Sequence, residues 1–116
     1  MPVQVSCEDL VDPAGATDKS NVQSAVVEGR TLELRQGRID GVQYAWARLS
    51  DAHEGDVIWF EVSGDSGETW IQCGKRIIGT GGRNYTDARR TSGSSEVCMR
   101  AVTQLVGPRY QTAEWC

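Results

Sequence analysis

The chain lacks several features that would assign it to a common functional class. None of its apolar runs approaches the roughly 18 residues of a membrane-spanning helix. Its formal net charge of −4 leaves it without the positive field that attracts nucleic acid or an acidic membrane surface. Its single histidine and the lack of any C-x-x-C pair argue against a zinc site. We therefore expect a soluble protein with no membrane, nucleic-acid, metal or cofactor partner.

Proline and long helical patterns are also scarce, whereas glycine is abundant. Thirteen glycines against three prolines, with short apolar runs between turn residues, indicate many short strands. A chain of 116 residues can bury one modest core, which excludes a propeller or a multidomain enzyme. The sequence predicts one all-β domain over 1–116, a compact antiparallel β-sandwich or jelly roll. Its expected strands are 22–27, 31–35, 42–49, 57–62, 69–73, 76–80, 96–105 and a C-terminal run from 109.

Two segments do not follow the periodicity of a strand or a helix. Residues 1–21 contain Pro13, Gly15 and several aspartates and serines, so we expect an extended N-terminal segment. Residues 79–95 combine glycines, serines and arginines with almost no apolar side chains. This composition predicts a long, mobile and locally basic loop.

The four cysteines indicate the cellular compartment. An even number of widely spaced cysteines in a small domain favours two disulfides and therefore secretion, because disulfides persist in the extracellular space. The alternative is four reduced, buried cysteines in a cytosolic protein. A hairpin centred on Gly107 places Cys98 opposite Cys116, which leaves Cys7 for Cys73. A register error of one residue would spoil this pairing, and the rival is Cys73 with Cys98 together with Cys7 with Cys116.

One short motif is more informative than the rest of the chain. Residues 63–70 read SGDSGETW, in the pattern S-x-D-x-G-x-T-W, between two strand-like runs. We expect a hairpin tip with a structural turn at Ser63, Asp65 and Gly67, in which the carboxylate accepts hydrogen bonds and the glycine takes a positive φ. Trp70 is expected to fold back over this hairpin.

The pattern in 63–70 resembles the Asp-box. This hairpin motif recurs in sialidase propellers and occurs singly in unrelated extracellular proteins and microbial ribonucleases. In those families it lies away from the catalytic centre. The resemblance therefore implies a secreted structural hairpin and not sialidase activity.

A looser resemblance extends over more of the chain. It depends on residues 35–40, 44–48, 55–59, 72–74, 98–100 and the terminal Trp115-Cys116. In these segments the chain is similar to small secreted disulfide-bonded domains of exported actinobacterial proteins. The resemblance implies export from a bacterium and no particular activity.

Alternation along the predicted strands indicates an aromatic outer face. A turn between Asp65 and Ser66 places Glu61 opposite Trp70, and the strand 42–49 turns a second alternate set of side chains away from the core. Aromatic rings stack on the C–H faces of pyranoses while polar side chains bind hydroxyl groups. Such a platform would suit a carbohydrate or cell-wall glycan. The expected ligand-binding residues are Tyr44, Trp46, Arg48, Trp59, Glu61, Trp70 and Gln72.

Two other interpretations concern the same surfaces. The aromatic side chains can instead be covered as a second half of the core, which is the more common arrangement in sandwiches. The loop 79–95 can present Arg83, Arg89 and Arg90, with Arg76 at its base, to an acidic protein, as in a secreted effector or an enzyme inhibitor.

A catalytic interpretation depends on the single histidine. His53 lies among Asp51, Glu54 and Asp56, and with the loop arginines it resembles the general acid–base set of a small ribonuclease-like hydrolase. The acidic composition of the chain opposes this interpretation. The three carboxylates could instead bind Ca²⁺, but their spacing matches no EF-hand loop, so a solvated loop is the ordinary interpretation. The sequence therefore favours a secreted, non-catalytic glycan-binding module, with a protein-binding effector or inhibitor as the alternative.

Overall fold

The structure is a computed structural model that describes residues 2–80 and 82–116. Within these ranges the chain forms strands and one short 3-10 turn, and no helix there is long and apolar enough to cross a membrane. The elements are the 3-10 turn Pro13–Gly15 and the strands β1 (Thr17–Val27), β2 (Arg30–Ile39), β3 (Val42–Ser50), β4 (Val57–Ser63), β5 (Ile71–Ile77), β6 (Arg89–Arg90), β7 (Cys98–Gln104) and β8 (Arg109–Gln111).

The strands form two antiparallel sheets that pack face to face. The first sheet has the order β1-β2-β3-β6 and the second sheet has the order β5-β4-β7-β8. Alternate side chains of the central strands meet between the sheets, and the largest of them, Phe60, is fully buried. Burial of each such side chain stabilises the fold by about 1.5–3 kcal/mol. The prediction of an all-β antiparallel sandwich is confirmed.

The first sheet grows from two tight hairpins. Both two-residue turns, Glu28-Gly29 and Asp40-Gly41, have a positive φ at each residue. This geometry matches the right-handed twist of the flanking strands. The hairpins make β2 longer than the expected strand 31–35, and β1 begins at Thr17. The expected extended segment 1–21 is therefore wrong at its end, where it belongs to the sheet.

The hairpin between β4 and β5 has a different register from the one expected. Glu61 lies opposite Gln72 and not opposite Trp70, because residues 64–70 all belong to the turn. The error is two residues, so each side chain keeps its expected face. A bulge between Ile58 and Phe60 then lets β5 continue to Ile77, where a separate strand 76–80 was expected.

Two disulfides anchor the chain termini to the second sheet. The N-terminal disulfide joins Cys7 to Cys73, and the C-terminal disulfide joins Cys98 to Cys116. This is the pairing that the hairpin at Gly107 predicts, and it is confirmed. If the register of β7 and β8 continued unchanged, Cys98 would lie opposite Trp115, one residue before Cys116. An extra residue between β8 and Trp115 shifts the register by one, so that Met99 lies opposite Trp115 and Cys98 opposite Cys116.

Two segments cover the outer face of the first sheet, and we call them the cover. The first segment, residues 11–16, contains the 3-10 turn, and the second segment is residues 83–88. The second segment pairs with β3 through the bridge between Tyr85 and Arg48 and with the first segment through the bridge between Ala88 and Val11, and it then continues into β6. Trp46 packs beneath them in a second, smaller core. The prediction that all of 79–95 is a loop without secondary structure is therefore wrong for the bridges at Tyr85 and Ala88 and for β6, whereas 91–95 contain no strand or bridge. Gly81 lies outside the described residues.

Candidate functional site

The expected aromatic platform does not exist as one surface. The two outward sets lie on different sheets, with the main core between them, so the prediction of a shared outer face is wrong. Trp46 is only 3% exposed and Trp59 only 7% exposed, so neither presents a free ring. The first sheet carries Tyr44, Trp46 and Arg48, whereas Trp59, Glu61, Trp70 and Gln72 belong to the side of the second sheet.

Glu61 organises the outer face of the second sheet. Its Oε2 accepts a hydrogen bond of 3.0 Å from the Trp59 indole N–H. Its Oε1 accepts one of 2.8 Å from Arg100 Nε, and Arg109 Nη2 lies 3.1 Å from both oxygens. The buried carboxylate is therefore fully used inside the protein, and it has no free oxygen to offer a sugar hydroxyl.

The same two arginines cap the tryptophan rings on this face. The guanidinium carbon of Arg100 lies 4.0 Å from the centre of the Trp70 ring, and that of Arg109 lies 5.6 Å from the centre of the Trp59 ring. Each contact is a cation–π interaction. One face of each ring is therefore occupied by a guanidinium group, and the Trp59 ring is in addition almost wholly buried, so only part of the Trp70 ring is accessible to a sugar here.

The motif 63–70 forms a compact turn stabilised by side chains. Asp65 accepts hydrogen bonds from Ser63 Oγ at 2.6 Å and from the backbone N–H of Thr69 at 2.9 Å. These bonds lower the pKa of Asp65 to about 2. Gly67 has a φ of +91°, and its carbonyl accepts the Trp70 indole N–H at 3.1 Å. All of these groups are occupied within the turn, which is consistent with a structural role.

Two of the three predicted partner-binding arginines of segment 79–95, Arg83 and Arg89, form bonds within the protein, so the three do not form one exposed basic patch. Arg83 pairs with Asp87 at 3.0 Å and with Asp12 at 3.5 Å, and its guanidinium carbon lies 4.3 Å from the centre of the Tyr85 ring. The segment therefore uses this cation to tie itself to the N-terminal part of the cover.

Arg89 is also engaged, whereas Arg90 is exposed. Arg89 Nε donates to the Ser6 carbonyl at 2.8 Å, and burial lowers the pKa of Arg89. Both arginines line a shallow cavity of about 410 Å³ that they share with Glu8 and Asp9. The carboxylates offset the positive charge there, so the expectation of a free basic loop for an acidic partner is not supported. Arg76 lies apart, half-buried on β5.

The loop with the single histidine is organised as a turn. Asp56 is buried, and it accepts hydrogen bonds from Arg30 Nε at 2.7 Å and from the His53 backbone N–H at 2.8 Å. Burial raises the pKa of Asp56, but the Arg30 guanidinium and the His53 backbone N–H together outweigh this effect, and the pKa is lowered overall. Asp51, His53 and Glu54 are exposed, and among the described contacts none brings a loop arginine to them. A ribonuclease-like acid–base set is therefore not assembled.

A polar pocket lies in the cover of the first sheet, and we call it the Trp46 pocket. Its volume is about 240 Å³, which is below the roughly 300–1,000 Å³ of drug-sized ligand sites and suits a single small polar unit. The 3-10 turn forms one wall. The other lining side chains are Lys19, Arg35, Trp46, Arg48, Asn84 and Tyr85.

Glu33 holds one cation of this pocket in place from below. The carboxylate is only 4% exposed, and it accepts hydrogen bonds from Arg48 Nε at 2.7 Å and Arg48 Nη2 at 2.9 Å. Ser50 Oγ and Asn21 Nδ2 complete its coordination at 2.6 and 2.7 Å. Burial raises the pKa of Glu33, but these hydrogen bonds outweigh burial and lower the pKa to about 2. The ion pair is therefore formed at any pH near neutral.

The other two cations donate hydrogen bonds to neutral acceptors, and Arg35 Nη1 also lies 4.0 Å from Glu33 Oε2. Arg35 Nη1 donates to Asn21 Oδ1 at 2.7 Å, and Lys19 Nζ donates to the Ala14 carbonyl at 3.1 Å. Within the described part of the chain, Arg35 Nη2 and Arg48 Nη1 have no hydrogen-bond acceptor. Both arginines line the pocket, so it is bordered by residues with N–H groups that make no hydrogen bond within the described part of the chain.

The sequence identified only part of this site. Trp46 and Arg48 were expected to bind a ligand, whereas Lys19, Arg35, Asn84 and Tyr85 were not. Arg35 could have been found, because it lies directly opposite Trp46 in a hairpin of known register. Tyr85 reaches the site through a bridge to Arg48 that no local pattern reveals.

Comparison with known protein families, curated proteins and solved structures finds no match to this chain. Its function can therefore be inferred only from the arrangement of its own side chains.

Proposed function

We propose that the protein is a secreted, non-catalytic module that binds a saccharide in the Trp46 pocket. One observation carries this proposal: Trp46 and Tyr85 line the same small pocket as three cations and the amide of Asn84. Saccharide sites combine an aromatic surface with a few convergent polar groups, because a sugar ring has apolar C–H faces and a polar rim.

Secretion is proposed on the basis of the two disulfides. Cysteine thiols are kept reduced in most cytosolic compartments, whereas disulfides persist in oxidising ones. The Asp-box resemblance of residues 63–70 points in the same direction, since the motif occurs singly in extracellular proteins.

Tyr85 is the side chain in this pocket that best serves as a stacking surface. Trp46 is almost entirely covered, whereas Tyr85 is half-buried and keeps part of its surface accessible. Arg83 occupies one face of the Tyr85 ring. The proposal requires a sugar ring to contact the remaining exposed part of Tyr85.

The experiment is a titration of the ¹⁵N-labelled, oxidised protein with soluble cello-, chito- and galacturonate oligosaccharides. We expect at least one of them to shift the Trp46 indole N–H and the Tyr85 amide resonance. The substitution Tyr85→Ala should weaken that binding about tenfold or more, which corresponds to the loss of one stacking contact of about 1.4 kcal/mol.

The matched control is Trp70→Ala, which removes a half-buried aromatic side chain from the opposite face of the sandwich. It should leave binding unchanged. Loss of binding in the Trp70 variant but not in the Tyr85 variant would move the site to the second sheet. Failure of every oligosaccharide to shift either resonance would overturn the proposal.

A further inference from the structure

We infer that the Trp46 pocket selects an anionic sugar unit, one that carries a carboxylate or a phosphate group, over a neutral sugar. This inference depends on the proposed function, because it names the class of saccharide that the same pocket takes. It follows from the charge, the hydrogen-bonding inventory and the orientation of the lining side chains.

The pocket is positive within a negative protein. Lys19, Arg35 and Arg48 line it, and the described lining residues include no carboxylate. The one acidic group beneath it, Glu33, lies 2.7 Å from Arg48 Nε and 4.0 Å from Arg35 Nη1, so a single negative charge faces three positive ones. The chain as a whole has a formal net charge of −4, so the pocket is a local exception to the overall charge. A concave site lined by one sign of charge concentrates ligands of the opposite sign.

The lining side chains are rich in donors and poor in acceptors. Guanidinium and ammonium groups only donate hydrogen bonds. A neutral sugar hydroxyl also donates, and it needs an acceptor that in most sugar sites is a carboxylate or an amide oxygen. Asn84 Oδ1 is one such acceptor, and it is available to a ligand because Asn84 donates to the Leu49 carbonyl through its Nδ2, at 3.1 Å. A carboxylate or phosphate only accepts at neutral pH, so it matches this inventory better than a hydroxyl does.

The donors are held in position before a ligand arrives. Glu33 fixes Arg48 through two hydrogen bonds, and Asn21 fixes Arg35 through one. Arg35 is opposite Trp46, and Arg48 is opposite Tyr85, so both cations lie beside the aromatic part of the pocket. Binding therefore loses little of the side-chain entropy that flexible arginines would lose, which favours the ligand.

The experiment compares three sugars, glucose, glucuronate and glucose 6-phosphate, with inorganic phosphate, which is an anion without a sugar ring. Each is titrated into the ¹⁵N-labelled protein at low ionic strength up to tens of millimolar. We expect glucuronate or glucose 6-phosphate to bind at least about tenfold more tightly than glucose, as one charge-assisted hydrogen bond would give. The advantage should decrease in high salt because exposed charges are screened.

The test variant is Arg35→Gln and its matched control is Arg38→Gln. Both remove one positive charge from β2, but Arg38 is exposed and does not line the pocket. Arg35→Gln should lower the affinity for the anionic sugar about tenfold or more and lower that for glucose much less, since only the anionic sugar loses a charge-assisted hydrogen bond. Lys19→Gln, which changes an exposed side chain, provides the same test if Arg35→Gln does not fold.

The outcomes separate the inference from the proposed function. Equal binding of glucose and both anionic sugars would overturn the inference and leave the proposed function intact. Inorganic phosphate that binds as tightly as glucose 6-phosphate would instead show an anion site in which the sugar contributes nothing, and would refute the proposed function. Shifts confined to the cavity at Arg90 would overturn both.

Discussion

Replacement of Glu33 by glutamine gives a quantitative test of how the first sheet is stabilised. Hydrogen bonds from Arg48, Ser50 and Asn21 outweigh burial and lower the pKa of Glu33 from its ordinary value of 4.5 to about 2 in the folded protein. A group whose pKa is lower when folded stabilises the protein above its unfolded pKa, and this stabilisation is lost as the pH falls through the folded value. At pH 7 the difference corresponds to about 3 kcal/mol, whereas at pH 2.5 less than about 1 kcal/mol remains.

The measurement is urea denaturation of wild type and Glu33→Gln at several pH values between 7 and 2.5. We expect the wild type to be more stable by about 3 kcal/mol at pH 7 and the gap to narrow steadily below pH 4.5. The difference between the two proteins isolates Glu33 from other acidic groups such as Asp65, which titrate in both. The exposed Glu54 gives a control, because Glu54→Gln should change stability by less than about 0.5 kcal/mol at any of these pH values.

Two results would refute this reasoning. A gap that stays constant with pH would mean that the glutamine variant loses packing and not an ionised group. A gap near zero at pH 7 would mean that the hydrogen bonds from Arg48, Ser50 and Asn21 only compensate for the burial of the carboxylate, as happens for some buried ion pairs.

Two further predictions concern how the termini are held. The N-terminal disulfide closes a sequence separation of 66 residues and the C-terminal one a separation of 18, so paired alanine substitutions should lower stability by about 4 and about 3 kcal/mol. Guanidinium denaturation measures both, and the reverse order would contradict a dominant chain-entropy effect. A Cβ on Gly64 would lie 1.7 Å from the Val3 carbonyl oxygen, so Gly64→Ala should detach the N-terminal segment. Hydrogen exchange should then be faster at the Val3 amide, which donates to the Gly64 carbonyl at 2.7 Å. Gly93→Ala, at a position with open space, is the control, and unchanged exchange in the Gly64 variant would count against the docking of this segment.

Local patterns in the sequence were sufficient for the class of fold, most strands and the disulfide pairing. They worked because alternation of apolar residues fixes which face of a strand is buried, whatever its partner. They failed on the register of the β4–β5 hairpin, since the hydrogen bonds of Ser63 and Asp65 extend the turn through Trp70. A turn held by side chains is longer than the two-residue turn that strand spacing alone suggests.

The candidate site was only partly predictable for a different reason. Alternation says that a side chain points away from the core, but it does not say which of two sheets the strand joins. Trp46 and Trp59 were therefore placed on one surface although they face opposite sides of the molecule. The pocket also needs Tyr85, which pairs with β3 over a long sequence separation, and the composition of its segment gave no strand signal.

The placement of the disulfides has a consequence for the order of folding. Strands β1, β2 and β3 are joined by tight turns, so they can form from neighbouring residues with little loss of loop entropy. The central strands of the second sheet, β4 and β7, instead pair residues that are far apart in the sequence. Ser63 lies opposite Cys98, with β5 and the second cover segment between them in the chain. Both disulfides end in this second sheet. The covalent links therefore reinforce the sheet whose strands pair across the longest sequence separations, whereas the hairpins from β1 to β3 are encoded by neighbouring residues. The pocket depends on both, because Arg35, Trp46 and Arg48 belong to these hairpins and Tyr85 reaches them through a long-range bridge.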